Sequence, residues 1–246
     1  MTKVSLILTT YNSKNNLEQT LESIETQDYD AIEVVIKDGG STDGTVDVIK
    51  DYHEKSKHSV IWESKPDTGI YDAMNQGYQL STGDVLVFFN DVFTGPTVVR
   101  SMVDKIENTP DCVGAHADLV YKDGEKIIRK WHMGEGSIYH GWMPGHPTLF
   151  LKREIYEKYG LYRTDMKISA DYELMIRFLK DKENKLAYLP ETIISMFYGG
   201  TSSGGLNSYL LSLKEGHRAL KMNGIRWASY IDIRRTLKVL GQFVKH

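Results

Sequence analysis

The sequence predicts an α/β fold, an open sheet wound by helices and followed by a mostly helical tail. Three observations predict it. Apolar runs of strand length alternate with segments of helical period from Val4 to Phe89. Those runs are mostly apolar rather than alternating, as in strands buried on both faces of a parallel sheet. Finally, 246 residues with 41% hydrophobic and 26% charged side chains make a globular chain with room for one large core or two small ones.

Val4 to Leu8 is the first run, stopped by Thr9-Thr10-Tyr11-Asn12. Asn12 or Ser13 is placed to cap the next helix, in which Leu17, Leu21 and Ile24 recur at helical spacing. Ile32 to Ile36 is a second strand, and Thr45 to Tyr52 a second helix that turns Val46 and Ile49 inward. Val60 to Trp62 is a third strand, Tyr71 to Leu80 a third helix, and Val85 to Phe89 a fourth strand. In doubly wound sheets ligands bind beyond the carboxyl ends of the strands. That rule gathers Thr9 to Asn12, Asp38 to Ser41 and Asn90-Asp91 along one edge.

Beyond Asp91 the pattern is less regular. Pro96 to Asn108 reads as a helix, Val113 to Ala117 as a strand, and Asp118 to Arg129 as a hairpin turning at Lys122-Asp123-Gly124. Trp131 to Pro147, with four Gly, two Pro and three His, reads as an active-site loop. Helices at Lys152 to Tyr159 and Ala170 to Lys180 and a strand at Leu186 to Leu189 complete a body over residues 1–200. Gly199 to Gly205 is a flexible break before a helical tail over 201–246.

The formal charge of −3 argues against nucleic acid as the main partner, which needs a clustered basic excess. The single cysteine, Cys112, makes no intrachain disulfide, and no Cys or His spacing suggests a zinc cage. A reducing, cytoplasmic setting is the expectation. Val4 to Leu8 is short for a signal peptide's apolar segment, and nothing reaches the roughly 20 apolar residues of a membrane span. In the tail, Lys221, Arg226, Arg234, Arg235, Lys238 and Lys245 face one acid, Asp232, with Trp227, Tyr230, Ile231 and Leu237 interleaved. That pattern suits peripheral contact with an anionic membrane, docking on the chain's own body, or a second subunit of a homo-oligomer.

Several residues have types suited to chemistry. Asp38 ends a buried strand, and Gly39-Gly40 let the chain turn sharply. An acceptor there can meet a base edge or a ribose, or it can satisfy the turn's own backbone. Tyr11 either stacks on a base or packs in the core. Asp67 sits in a loop, whereas Asp72 falls in a first helical turn, where the macrodipole favours a carboxylate. Asn90-Asp91 follow a strand, where a carboxylate can share Mn²⁺ or Mg²⁺ with a diphosphate. Asp171 either caps the helix it begins or acts as a base, with Glu173 in reserve. Trp131 and Trp142 either stack on a sugar or pack against the sheet.

Taken together, Thr9 to Asn12, Lys37 to Thr45, Pro66 to Gly77 and Thr82 to Asp91 resemble the family-2 glycosyltransferases of GT-A fold. The colanic-acid, O-antigen and capsule transferases are the members most similar by motif. Residues 3–95 carry the resemblance strongly and 140–180 more weakly; Gly69 to Gly77, Gly-Ile-Tyr-Asp-Ala-Met-Asn-Gln-Gly, is its most specific part. It implies a Rossmann-like mixed sheet flanked by helices, with a nucleotide-sugar-binding half over 1–95 and an acceptor half over 96–200. The implied activity is inverting transfer from a nucleotide diphosphate sugar, UDP-linked, to a saccharide acceptor carried on a lipid diphosphate, in bacterial surface polysaccharide synthesis.

By the same resemblance, Thr9, Tyr11, Asn12, Asp38, Gly39, Asp67, Asp72, Asn75 and Asn90 line the donor site, with Tyr11 on a uracil-type base. His146 contacts phosphate or acceptor, Asp171 deprotonates the acceptor hydroxyl, and Asp91 holds the Mn²⁺ or Mg²⁺. The family's Asp-x-Asp-like cluster is shortened here to Asn90-Asp91, so metal ligation rests on one carboxylate. Two other readings stand beside this one. A sugar nucleotidyltransferase uses a similar sheet, although Thr9 to Ser13 is not its Gly-rich phosphate loop. A non-catalytic nucleotide-sugar-binding subunit is compatible with the shortened acidic motif.

Overall fold

The computed structural model describes residues 1–124, 126–197 and 205–243. In chain order the first elements are β1 (Val4–Thr10), α1 (Lys14–Glu25), β2 (Ile32–Asp38), α2 (Thr45–Lys55), β3 (Ser59–Ser64), α3 (Ile70–Leu80), β4 (Val85–Phe88) and β5 (Val92–Phe93). There follow α4 (Val98–Glu107), β6 (Cys112–Asp123), β7 (Lys126–Trp131), β8 (Phe150–Lys152), α5 (Arg153–Tyr159), α6 (Ala170–Leu179), β9 (Lys185–Phe197), α7 (Gly205–Met222) and α8 (Ala228–Phe243).

The nine strands of the described residues belong to one sheet, in the order β3-β2-β1-β4-β8-β6-β9-β5 with β7 beside β6. The first four run parallel, as the alternation of strand and helix predicts. The second half is mixed: β8 is antiparallel to both β4 and β6, β6 is parallel to β9, and β9 is antiparallel to β5. Sequence period does not reveal β5 and β8 because they are two and three residues long, and their partners define them. β9 outruns the expected Leu186 to Leu189 because Pro190 and Glu191 only interrupt it; Leu189 pairs with Ala117 and Thr192 resumes opposite Asp118. The expected break at Gly199 to Gly205 lies, up to Gly204, outside the described residues.

Alternate side chains of β1 and β2 enter two cores. Leu6, Leu8, Val34 and Ile36 face α1, α2 and α4, where Leu21, Ile24, Ile49 and Met102 are buried. Ile7, Val35 and Phe88 face the opposite layer of α3, α5 and α6. α3 lies close on the sheet because Gly77 has no side chain; a Cβ there would stand 2.6 Å from Ile7 Cγ2.

The tail packs into this second layer. Ala219, Leu220, Ile225, Ala228 and Ile231 are buried in the same core as α6. Arg235 lies over the Tyr172 ring at 3.8 Å, and a Cβ on Gly141 would stand 3.0 Å from the Arg235 backbone nitrogen of α8.

Candidate active site

Each parallel strand delivers its last residues to one edge. At the end of β1, the Thr9 backbone N–H donates to Asn90 Oδ1 (2.9 Å), and Asn90 Nδ2 returns a bond to Thr9 Oγ1 (3.1 Å). Asn12, in the left-handed region at φ 47°, links the loops after β1 and β2: its N–H donates to Ser41 Oγ (2.8 Å) and its Oδ1 accepts from Thr42 N (2.9 Å). Asn12 therefore ties two loops together rather than capping α1, and Ser13, at the cap position, makes no side-chain capping bond.

Asp38 is fully buried. Its carboxylate accepts from the Thr10, Ser41 and Ser64 hydroxyls and from the Gly40 and Ser41 backbone N–H groups. Burial opposes its ionisation, yet those donors hold its carboxyl below the usual carboxylate range. Of the two uses open to it in sequence it makes the second: backbone N–H groups of the turn and the Ser64 hydroxyl hold Oδ2, and the Thr10 and Ser41 hydroxyls hold Oδ1.

Tyr11 is 67% exposed, so it is not core packing. Its ring edges Gly39 on one side and the Asp67 carboxylate lies on the other; a Cβ on Gly39 would meet Tyr11 Cδ2 at 3.3 Å and Asp67 Oδ2 at 2.7 Å. Tyr11, Gly39 and Asp67 thus form one accessible cluster from three loops. Asp72 is occupied differently: its Oδ2 accepts from the Thr68 N–H and hydroxyl and from Gln76, bonds that lower its carboxyl's pKa and close the loop onto α3. Asn75 exchanges two bonds with the Tyr162 backbone, 2.9 Å and 3.0 Å, fastening α3 to the loop before α6.

The second half of the chain meets this edge through Tyr71. Its buried hydroxyl donates to Asp171 Oδ1 at 3.2 Å, linking α3 to the first turn of α6. Burial, and then the Asp171 charge, raise the tyrosine's pKa and keep it a donor. His146 Nε2 is hydrogen-bonded to the Tyr162 hydroxyl (2.8 Å), and Tyr162 stacks on Tyr71 with centroids 5.9 Å apart. Burial lowers the imidazole's pKa, with the Asp171 charge opposing, so His146 is neutral at neutral pH. Glu173 is held by Arg177 and Asn223, which removes it as the reserve base.

A tail residue completes this corner. Glu215 on α7 is buried, and its carboxylate accepts from the backbone N–H groups of Lys167 (2.9 Å), Ile168 (2.9 Å) and Ser169 (3.0 Å). Those donors immediately precede Asp171. Trp142 donates to the Met133 carbonyl (3.0 Å) and packs edge-on against His116, while Trp131 lies under Arg129. Both are half-buried and engaged within the protein.

Asp91 is buried beyond Asn90, and desolvation pushes its carboxyl up to about 7, opposed only by a bond from the Phe197 backbone. Beside Asn90 just after β4, Asp91 would offer a divalent cation one carboxylate. Among the described residues no three His, Cys, Asp or Glu side chains gather to hold a metal. The donor set fits an ion that takes one protein carboxylate and completes its shell with phosphate oxygens and water.

Three residues escape the sequence reading: Tyr71, Glu215 and Lys37. Tyr71 lies inside the most specific motif but has no charge to draw attention. Glu215 belongs to a helix whose packing no local pattern announces. Lys37, fully buried, donates to the Asp38 (2.8 Å) and Lys65 (2.6 Å) carbonyls and joins the ends of β2 and β3; a charge inside an apolar strand is the signal that finds it.

The family model described as glycosyl transferase family 2 matches residues 5–177, and the chain belongs to that family. A PGL/p-HBAD biosynthesis glycosyltransferase of Mycobacterium bovis is 28% identical over 97% of this chain and 92% of its own. An uncharacterized glycosyltransferase of Mycobacterium tuberculosis is 32% identical over 71% of this chain and 68% of its own.

Among solved structures, the mannosyltransferase PcManGT of Pyrobaculum calidifontis, in complex with GDP-Man and Mn²⁺, superposes with a TM-score of 0.69. It is 16% identical and covers 100% of this chain and 76% of its own. TarS of S. aureus, in complex with UDP-GlcNAc, gives 0.69 at 17% identity, covering 99% and 73%. The fold is GT-A, and the chain is a glycosyltransferase. Membership of this family sets aside the nucleotidyltransferase and the non-catalytic subunit.

Proposed function

We propose that this glycosyltransferase moves a sugar from a UDP-sugar, with inversion, to a saccharide acceptor on a lipid diphosphate, at the cytoplasmic face of a bacterial membrane. The product belongs to surface polysaccharide synthesis of the O-antigen, capsule or exopolysaccharide kind. One observation carries the reading: Asp171 stands against Tyr71 at the start of α3, the helix whose preceding loop brings Asp67 to Gly39 and Tyr11. A candidate base and a candidate nucleotide cluster therefore sit at two ends of one short segment, residues 67–71.

In this reading Tyr11 stacks on the base, and Asp67 with the backbone near Gly39 meets base edge or ribose. Thr9, Asn12, Asp38, Asp72, Asn75 and Asn90 hold the loops that form the donor site. Asp171 takes the proton of the acceptor hydroxyl as that oxygen bonds to the anomeric carbon from the face opposite the diphosphate. The bond from that carbon to the diphosphate oxygen breaks, and the nucleoside diphosphate leaves with the electron pair. A divalent cation on Asp91 would offset the charge that develops on the diphosphate. His146, neutral and anchored on Tyr162, contributes position and a hydrogen bond near Asp171.

TarS in complex with UDP-GlcNAc supports a uridine donor, and PcManGT with GDP-Man and Mn²⁺ supports a diphosphate carried with a metal. The test is a panel of UDP- and GDP-sugars with lipid-diphosphate saccharides as acceptors, read by mass spectrometry. Transfer from a UDP-sugar with inverted anomeric configuration is expected. Turnover with GDP-sugars alone would overturn the uridine assignment, and a retained configuration would remove single displacement.

A further inference from the structure

The outward face of the α7–α8 tail has no partner within the described residues. Of the twelve large hydrophobic side chains exposed among them, seven lie between Tyr209 and Leu237. From Trp227 (78% exposed), the residue before α8, to Tyr230, Ile233 and Leu237 (61% exposed) on the helix, exposed apolar side chains recur every three or four residues as one stripe. The opposite stripe, Ala228 and Ile231, is buried in the core, so the helix is apolar on two sides. Ile233 and Leu237 also line a groove of about 310 Å³ with Leu213 of α7, and Trp227 and Tyr230 line a cleft of about 720 Å³ at its other end. A patch of this extent marks an interaction surface.

Charge selects the occupant. Arg226, Arg234 and Lys238 border the stripe and are exposed. The two acids of these helices are both engaged internally, Glu215 by three backbone N–H groups and Asp232 by His217 at 2.7 Å. Arg234 and Lys238 stand one turn apart with no acid between them, a like-charge pair that costs stability in water. A second copy of the chain would bring the same cations face to face. An anionic surface would neutralise them while taking up the aromatic and aliphatic side chains between them. No helix among the described residues is long and apolar enough to cross a membrane.

We infer that the α8 stripe from Trp227 to Leu237 lies in the headgroup region of an anionic lipid bilayer, with Arg226, Arg234 and Lys238 on the lipid phosphates. Its Leu237 end is beside Leu213, two residues from Glu215, which holds the turn before Asp171. Contact there sets the acceptor half beside the bilayer. The inference rests, for its purpose, on the lipid-carried acceptor above, but its test has a separate readout.

The full chain is sedimented with vesicles of phosphatidylcholine alone and of phosphatidylcholine mixed with phosphatidylglycerol, at low and high salt, while Trp emission is recorded. Binding to the anionic vesicles is expected to be about tenfold tighter or more, and weakened by salt. Arg234→Glu with Lys238→Glu should erase that preference, and Trp227→Ala with Leu237→Ser should weaken binding about tenfold. Neither pair should alter the thermal melt or transfer to a soluble saccharide. Equal binding to both vesicles, binding indifferent to these substitutions, or a lipid-free dimer dispersed by Trp227→Ala with Leu237→Ser would overturn the inference. Loss of all transfer with vesicle binding intact would sink the enzymatic reading instead.

Discussion

The Tyr71 hydroxyl donates to Asp171 Oδ1 over 3.2 Å, joining two residues that lie 100 positions apart. A carboxylate that must accept a proton in one direction gains from a fixed donor on its other oxygen, because the bond limits its rotation. In the proposed mechanism Tyr71 therefore positions Asp171. Tyr71→Phe should lower kcat about tenfold while leaving donor KM unchanged. Asp171→Asn should lower kcat by about a hundredfold to ten-thousandfold with nucleotide affinity intact. Steady-state kinetics with equilibrium nucleotide binding decides both, and normal transfer by Asp171→Asn would remove that residue from the mechanism.

Glu215 holds the turn that leads to Asp171. Three N–H donors of Lys167 to Ser169 converge on it, so Glu215→Ala leaves three buried donors without their acceptor. The variant should melt lower and lose about tenfold or more in kcat. Glu215→Gln, which keeps one acceptor oxygen, should recover part of kcat. A kcat unmoved in both, with the melt lowered, would leave Glu215 a purely structural residue.

Asp91 is the carboxylate proposed to hold a cation at this edge. Removing divalent ions with a chelator should abolish transfer, and Mn²⁺ or Mg²⁺ should restore it. Asp91→Ala should raise the metal concentration needed for half-maximal rate by about tenfold or more. Full activity in chelator, or an Asp91→Ala enzyme with unchanged metal dependence, would exclude Asp91 as a ligand.

Glu33 gives a pH dependence to stability. Its buried side chain accepts from Lys3 (2.6 Å), Ser5 (2.7 Å) and the Thr82 N–H and hydroxyl (2.7 Å each). Burial opposes ionisation, but these donors prevail and lower its carboxyl to about 2 from an ordinary 4.5. A depressed folded-state value means the stabilisation is fully present above about pH 4.5 and is lost as pH falls toward 2. By linkage the loss amounts to about 3 kcal/mol. Urea unfolding of wild type and Glu33→Gln should therefore differ at pH 7 and converge near pH 2.

Gly77 is a packing test of the α3–β1 contact. A methyl group there would stand 2.6 Å from Ile7 Cγ2, so Gly77→Ala should destabilise the protein by about 1–3 kcal/mol. Chemical denaturation measures it. An unchanged midpoint would mean that α3 can move outward without cost.

Local pattern was enough for the parallel half of the sheet. Apolar runs of strand length, with Gly and hydroxyl residues after them, encode β1 to β4 and bring the loops of Thr9, Asp38 and Asn90 to one edge, because right-handed crossovers leave little topological choice. The same pattern could not show β5 or β8, whose two and three residues are strands only because a neighbour pairs with them.

The site divides on the same line. By itself the sequence determined which acidic, amide and hydroxyl residues end the strands, and so the class of ligand they can meet. Tertiary structure alone decided how each is used: Asp38 turned inward on its own loop, Tyr11 left exposed beside Asp67, and Asp171 placed against Tyr71 with Glu215 behind its turn. The physical reason is that a carboxylate's role depends on which donors reach it. Those donors come from residues remote in the chain, whose positions only the packed core sets.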